Sequence, residues 1–222
     1  PTRVAAPLAT SKRTDADAPS GHLIIAVQSV GTPNGLPRFC TAGCAEIIYL
    51  SGATDVLFNS KATPESTATF EPMLALDFSL DSSLEFGTFN LRKGVMFHDG
   101  WGEMTADDVA FSFNDSNSVT NSDSIHGQAR DFAPLIRSLE ALDTYTVQLN
   151  FVNFDSRGIL HRFSKFWQTA GIVSEKVFKE TGVDGMQNIY VGVGPFVIDQ
   201  WNRNDGIFMH ANPDYYGTDL GL

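Results

Sequence analysis

The sequence predicts a mixed α/β domain, of the α/β or α+β class, and three observations carry that prediction. Strand-like and helix-like segments are interleaved along the chain. Two segments, 136–151 and 194–211, read as β-hairpins, so strand pairing is mixed rather than purely parallel. A third segment, starting at Thr105, has the i, i+3, i+4, i+7 apolar spacing of a half-buried helix. The 222 residues leave room for one to two domains at roughly 150 residues each.

The elements follow in chain order. Residues 1–20 hold three prolines among Ala, Thr, Ser and Asp without periodicity, which predicts a tail or tether. Order is expected from Gly21. His22–Gln28 reads as a buried strand that stops at Ser29 and the turn-rich Gly31-Thr32-Pro33-Asn34-Gly35. Cys44–Phe58 has helical spacing, interrupted by Gly52. Ser60–Ser66 is polar and reads as a loop. Phe70–Leu80 reads as one strand, entered through Pro72. Leu84–Leu91 alternates, but its phase slips at Gly87-Thr88, which predicts a bulge.

Gly94–Gly100 is a turn region. Thr105 then caps a helix whose first turn holds Asp107 and Asp108, where the helix dipole favours carboxylates. Ala106, Val109, Ala110 and Phe113 form its buried stripe. Asn114–Ser124 is a surface loop. Ile136–Leu142, the Asp143-Thr144 turn and Tyr145–Phe151 form a hairpin. Phe154–Phe166 reads as an amphipathic helix, Ile172-Val173 as a strand, and Ser174–Thr181 as a helix stopped by Gly182. Gly194–Trp201 and Ile207–Ala211 pair across the polar turn Asn202–Gly206. There is no internal repeat.

Charge narrows the function classes. Fifteen basic residues against 26 acidic ones give a net charge of −11 and a pI near 4.7. That argues against nucleic acid, which needs a basic face to displace counterions, and against an anionic membrane surface. The longest apolar run, Leu23-Ile24-Ile25-Ala26-Val27, falls far short of the ~20 residues that span a bilayer. Pro1–Gly21 lacks the apolar stretch of a secretory signal, so the chain is expected to be cytosolic or already processed. Apolar residues make up 42% of the chain, enough to bury a core.

No reactive constellation stands out. The five histidines, at 22, 98, 126, 161 and 210, lack HExxH or HxxxH spacing, and neither a G-x-S-x-G nor a phosphate-binding loop is present. His98-Asp99 beside Gly100 reads as a turn, with Asp99 accepting backbone N–H groups, rather than as a catalytic pair. Cys40 and Cys44 read as two small buried thiols or as a local disulfide, and both readings stay open. The sequence predicts no enzyme, no cofactor and no metal site.

Five stretches, in order, carry a resemblance. They are Glu71-Pro72-Met73-Leu74-Ala75; Leu91–Gly100 with Thr105–Phe113; Leu139–Val147; Gly194-Pro195-Phe196; and Asn212-Pro213-Asp214-Tyr215-Tyr216-Gly217. Together they resemble the extracellular solute-binding proteins of ABC transporters, family 5, the dipeptide, oligopeptide and nickel type. The resemblance runs from about Gly21 to Gly217. Val193, His210-Ala211 and the longer link Trp101-Gly102-Glu103-Met104 depart from the family pattern.

The resemblance implies a periplasmic-binding-protein-like type II lobe with a mixed sheet and an inserted subdomain, the second lobe being absent. The implied organisation is a tail over 1–20, a core subdomain from 21–59 plus 171–222, and an insert over 60–170. The implied function is capture of a small solute, a peptide foremost, and delivery to ABC permease subunits, in the periplasm or outside the cell and with a membrane tether as an option. A non-transport interaction protein built on the same lobe is the alternative. Both expect a partner surface, either the missing second lobe or another copy, on the cleft face.

Candidate ligand contacts are Ser29, Val30 and Gly31, because open α/β sheets bind beyond the carboxyl ends of their strands. His126 and Gln128 follow the polar loop. Phe166, Trp167 and Gln168 lie where the family chain passes the cleft, and the aromatics there can stack on a ligand.

Overall fold

The structure is a computed structural model of the chain and describes residues 21–27, 30–31, 33–41, 52–62, 68–156, 160–164, 171–203 and 205–221. Eight strands and three helices lie among these residues. The strands are β1 (Phe58–Ala62), β2 (Ala68–Pro72), β3 (Ala75–Leu80), β4 (Phe86–Leu91), β5 (Ile136–Asp143), β6 (Thr146–Phe151), β7 (Phe196–Asn202) and β8 (Gly206–Ala211). The helices are α1 (Ala106–Ser116), α2 (Ala129–Phe132) and α3 (Glu175–Met186). The central sheet is antiparallel in the order β3-β4-β6-β5, and β1–β2 and β7–β8 are separate hairpins. This is the mixed class that the sequence predicts.

One face of the sheet makes the core. Phe89 sits opposite Phe78 and Val147, and Leu149 sits opposite Gly87 and Leu139. α1 covers this face with Val109, Ala110 and Phe113. The Phe163 ring fills the gap between them, 4.9 Å from the Phe89 centroid and 4.7 Å from that of Phe113. Asn114 fastens the helix to β5: its amide donates to the Leu139 carbonyl (2.8 Å) and its side-chain oxygen accepts from the Leu139 N–H (2.9 Å).

Thr105 is the N-cap of α1, as expected. Its N–H and its hydroxyl both donate to Asp108 Oδ2, at 2.8 and 2.9 Å. The helix outlasts its predicted end and takes in Asn114–Ser116. Ser174 caps α3 by accepting from the Val177 N–H, and Gly182 breaks the regular helix at φ 67°.

Several expectations are corrected. The His22–Gln28 strand does not form: residues 22–27 are irregular and exposed. A strand needs a row of partner N–H and C=O groups, and no described segment supplies one to residues 22–27. Most of the Cys44–Phe58 helix lies outside the described residues, but its last part, 52–57, is not helical. The Val56 and Leu57 carbonyls there accept from Leu74, Met73 and Ala75 instead. The Ser60–Ser66 loop gives way to the β1–β2 hairpin, whose tip over 63–67 lies outside the described residues. Phe70–Leu80 divides into β2 and β3 at Met73-Leu74. Ile172-Val173 is buried but unpaired as a strand. Of the Phe154–Phe166 helix, only a 3-10 turn at Leu160–Phe163 stands among the described residues.

The bulge also moves. β4 pairs with β6 in unbroken register, and the slip lies in β3, between Ala75 and Asp77. The broken alternation has another cause. Gly87 points inward, and the Phe78 ring fills the space that its side chain would take.

A knot of close backbone packing joins the end of the chain to residues 52–55. Gly192 and Gly194 lie so near Gly52–Thr54 that a Cβ on either would collide with the Ala53 or Gly52 carbonyl oxygen. The Gly194 and Phe196 N–H groups donate to those same carbonyls, each at 3.2 Å. His98 fastens the knot from the other side: its N–H donates to the Gly192 carbonyl and its Nε2 to that of Gly194, both at 3.0 Å. The turn reading of His98-Asp99 therefore stands, with Asp99 at φ 56° and the Trp101 N–H closing onto the His98 carbonyl (3.3 Å). Asn212 donates to the Gly194 carbonyl as well (3.0 Å). Tyr215 and Tyr216 both donate to the buried Asp55 Oδ2, at 2.9 and 2.8 Å. Burial, with the Asp55 carboxylate second, raises the pKa of both phenols.

The knot predicts a contrast between two glycines. Gly192→Ala should cost about 3 kcal/mol, because backbone must move to admit the methyl group. Gly94→Ala, at φ +76° with open space around it, should cost about 1 kcal/mol from backbone strain alone. Urea denaturation of both variants measures this, and equal costs would contradict the close approach.

Candidate ligand-binding site

Residues 30–31 and 33–41 form a strap against the rest of the molecule, and each contact has a local cause. At its start, the Trp201 indole N–H of β7 donates to the Val30 carbonyl (2.7 Å). Asn34 folds back on Leu36, accepting its N–H at 2.9 Å and donating to its carbonyl at 2.8 Å. This aims the Gly35 N–H at the Met186 carbonyl (2.6 Å), where a Cβ would collide with the Ile189 oxygen. Past the 3-10 turn Pro37–Phe39, the Arg38 and Cys40 carbonyls accept from the Ile125 and Gly127 N–H groups, at 2.9 and 3.0 Å.

Arg38 is the main anchor. Its Nε donates to Asp115 Oδ1 and its backbone N–H to Oδ2, both at 2.8 Å. The Asp115 side chain is 2% exposed and that of Arg38 15%. The guanidinium also lies 5.6 Å from the Phe178 ring centroid, and Phe178 stacks on Phe111 of α1.

Asp115 belongs to a polar stripe that the sequence reading missed. Asp108, Ser112 and Asp115 recur at i, i+4 and i+7, beside the apolar stripe, and all three are buried. Asp108 Oδ1 accepts from the Glu175 N–H at the start of α3 (2.9 Å). Ser112 Oγ accepts from the Val173 N–H (3.0 Å). Burial is the largest influence on the Asp108 carboxyl and raises its pKa. The readable signal was the helical spacing of three polar residues; the reading assigned only Asp108, and only to the helix dipole.

The candidate contacts fall at the two ends of the strap. Val30 and Gly31 sit half-buried beside β7, whereas His126 and Gln128 flank the Cys40 end. The structure thus places one pair on the strap and the other on the loop that bonds to its far end, and does not bring them together. Ser29, Phe166, Trp167 and Gln168 lie outside the described residues. His126 points inward: it is 5% exposed, and its Nδ1 accepts from the Gln128 N–H (3.1 Å). Burial lowers its pKa to about 4. Cys40 is buried, and Cys44 lies outside the described residues, so their pairing is not addressed.

A small cavity lies under the strap, lined by residues that include Asn34, Cys40, Gly171 and Tyr190. Its volume of about 10 Å³ admits about one water molecule. A peptide does not fit there, so a ligand meeting the strap meets its open side. Among the described residues, no group of three or more His, Cys, Asp or Glu side chains could hold a metal ion, and no helix is long and apolar enough to cross a membrane.

The ion pair predicts a large single-site cost. Asp115→Ala should destabilise the chain by about 3 kcal/mol, because it strands a buried guanidinium. Replacing both partners, as Arg38→Met with Asp115→Leu, should cost less than the two single changes added together. Urea denaturation of the parent, the three single variants and the double variant tests this, and single variants within about 0.5 kcal/mol of the parent would contradict the anchor role.

Comparison with known proteins gives a consistent answer. Residues 69–220 match the model of the bacterial extracellular solute-binding proteins, family 5. The oligopeptide-binding protein AppA of Bacillus subtilis is 32% identical over 146 residues, covering 62% of this chain and 24% of that protein. The dipeptide-binding protein of Escherichia coli is 26% identical over 209 residues, covering 86% of this chain and 38% of that protein. The structure of a dipeptide-binding protein from Pseudoalteromonas sp. SM9913, in complex with Met-Leu, superposes with a TM-score of 0.69 at 24% identity. That match covers 85% of this chain and 39% of the other. The chain therefore spans between a quarter and two-fifths of the length of these proteins, as one lobe of a two-lobed protein would. With the five motif stretches placed on one fold and the family match extending over most of the chain, the protein belongs to the bacterial extracellular solute-binding proteins, family 5.

Proposed function

We propose that the chain is the first-lobe portion of the solute-binding component of an ABC importer, and that it captures a peptide and delivers it to the permease subunits outside the cytoplasmic membrane. The family match over 69–220 carries this reading. The relatives named above for oligopeptides and dipeptides support a peptide as the solute. In this reading the chain acts by binding, without covalent chemistry. Two lobes close about a hinge and shift the population to a form that the permease accepts.

The proposed organisation is a core subdomain of 21–59 with 171–222, an insert of 60–170, and a tether over 1–20. The strap supports it, since it bonds to α3 and β7 on the core side and to α1 and the 125–127 loop on the insert side. Val30 and Gly31, with Ser29, Phe166, Trp167 and Gln168, are the proposed contacts on the ligand side. His126 and Gln128 belong to the loop that Ile125 and Gly127 hold against the strap.

One observation favours a second reading, in which the lobe serves as an interaction surface. Leu23 and Ile24 are 82% and 92% exposed, and Ile25 and Val27 beside them are exposed too. Large contiguous apolar surface of this kind marks a partner site.

Both readings predict how the 222-residue chain behaves alone. With one lobe, roughly half the ligand contacts are absent, and a loss of about 4 kcal/mol takes a micromolar site to about millimolar. The chain should therefore bind di- and tripeptides no more tightly than about millimolar and should self-associate or retain a partner. Calorimetry paired with light scattering tests this. Micromolar binding by a demonstrably monomeric sample would overturn it.

A further inference from the structure

His126 is a buried imidazole whose bonding leaves no place for a second proton. Its Nδ1 accepts from the Gln128 backbone N–H (3.1 Å), a group that can only donate, so the ring's own proton is on Nε2. Nε2 is buried and has no partner among the described residues. Adding a proton would set one N–H against another at Nδ1 and place a charge where no acceptor waits. Burial lowers the proton affinity of His98 as well, but there the Nε2 faces the Gly194 carbonyl (3.0 Å), a bond that opposes the effect and that His126 lacks.

The position of His126 gives this a consequence. The residues on either side of it, Ile125 and Gly127, are the two whose N–H groups hold the Arg38 and Cys40 carbonyls. The segment is held further by the His126 N–H on Ser124 Oγ (3.3 Å) and by the Ala129 N–H on the His126 carbonyl (3.0 Å). The imidazole cannot leave its site without disturbing the two neighbours that pin the strap.

We propose that His126 is an acid-sensitive latch: a proton taken from solvent onto its imidazole expels the ring and frees the Arg38 and Cys40 carbonyls from the Ile125 and Gly127 N–H groups, while Asp115 keeps its hold on the Arg38 side chain. The ionisable groups on the elements packed around it do not offset this. On the strap, Arg38 is held by Asp115. On its own loop Asp123 is exposed, and on α2 Arg130 is exposed and Asp131 half-buried. Burial is what lowers the proton affinity of the ring. The closed form therefore binds the proton more weakly than the released form, so opening becomes more favourable as the pH falls from about 6.5 towards 4. The inference goes beyond the solute-binding reading and stands whether or not the chain takes a peptide.

Amide hydrogen exchange at Ile125 and Gly127 reads the latch directly. Protection factors are measured at pH 7, 5.5 and 4.5, with Val147 and Leu149 of the central strand β6 as internal references. Relative to these, protection at Ile125 and Gly127 should fall by about fifty-fold from pH 7 to pH 4.5, and His126→Phe should remove that dependence. Protection that stays flat in the parent protein, or falls equally in His126→Phe, would overturn the proposal. If the variant does not fold, an NMR titration of the His126 ring in the parent decides. Loss of protection that follows the ring's protonation supports the latch, and loss without it refutes the latch.

Discussion

The buried polar stripe of α1 is the constraint on which the candidate site depends. A helix with one apolar face can dock on a sheet, but it then leaves its other faces to water. α1 instead buries a second face, and Asp108, Ser112 and Asp115 make that bearable by accepting backbone and guanidinium donors from other segments. Each acceptor holds a different stretch: the start of α3, the Val173 backbone and the strap. Because unpaired buried carboxylates are costly, the helix enforces the position of all three segments at once. The strap is thus fixed at Arg38 from α1, whereas Val30 is held by β7.

The glycine knot is the second fastening, and it explains what the recognisable motifs do. The His-Asp-Gly turn, the Gly-Val-Gly-Pro segment and the Asn-Pro-Asp-Tyr-Tyr segment all converge on residues 52–55 and 192–194. Two phenols and the Val56 N–H satisfy the Asp55 carboxylate, and two side chains share the Gly194 carbonyl. The motifs that reveal the family are therefore devices for backbone-to-backbone packing. They identify the scaffold.

The same division shows in what could be read from sequence. The 136–151 and 196–211 hairpins, the capped start at Thr105 and the break at Gly182 were legible because local chemistry decides them: alternation, turn residues, a cap and a left-handed glycine. The β1–β2 hairpin was not, because its polar residues are strand only by virtue of each other. The apparent bulge at Gly87 was misplaced because a neighbouring strand's Phe78 supplies the missing inward side chain. Asp55 and Asp115 were invisible as anchors, since their partners lie 160 and 77 residues away along the chain. For the site, sequence placed Val30 and Gly31 at the end of a strand that does not form, because the partner row such a strand needs is not supplied locally. It gave no sign that His126 turns inward, because burial of one imidazole depends on segments that its own neighbourhood does not name.

Leu23–Val27 is where sequence and structure stand furthest apart, and the gap has physical content. The run is apolar on both faces, the pattern of a strand covered above and below. Yet Leu23, Ile24, Ile25 and Val27 are exposed. Burying four such side chains is worth on the order of 6 kcal/mol, comparable with the whole stability of a typical domain. A surface of that value does not remain in water when another polypeptide surface can cover it. The hairpin strand β8 also exposes Phe208 and Met209. The proposed partner surface is therefore expected to cover this exposed run first, because no other described segment leaves four neighbouring aliphatic side chains to water at comparable exposure.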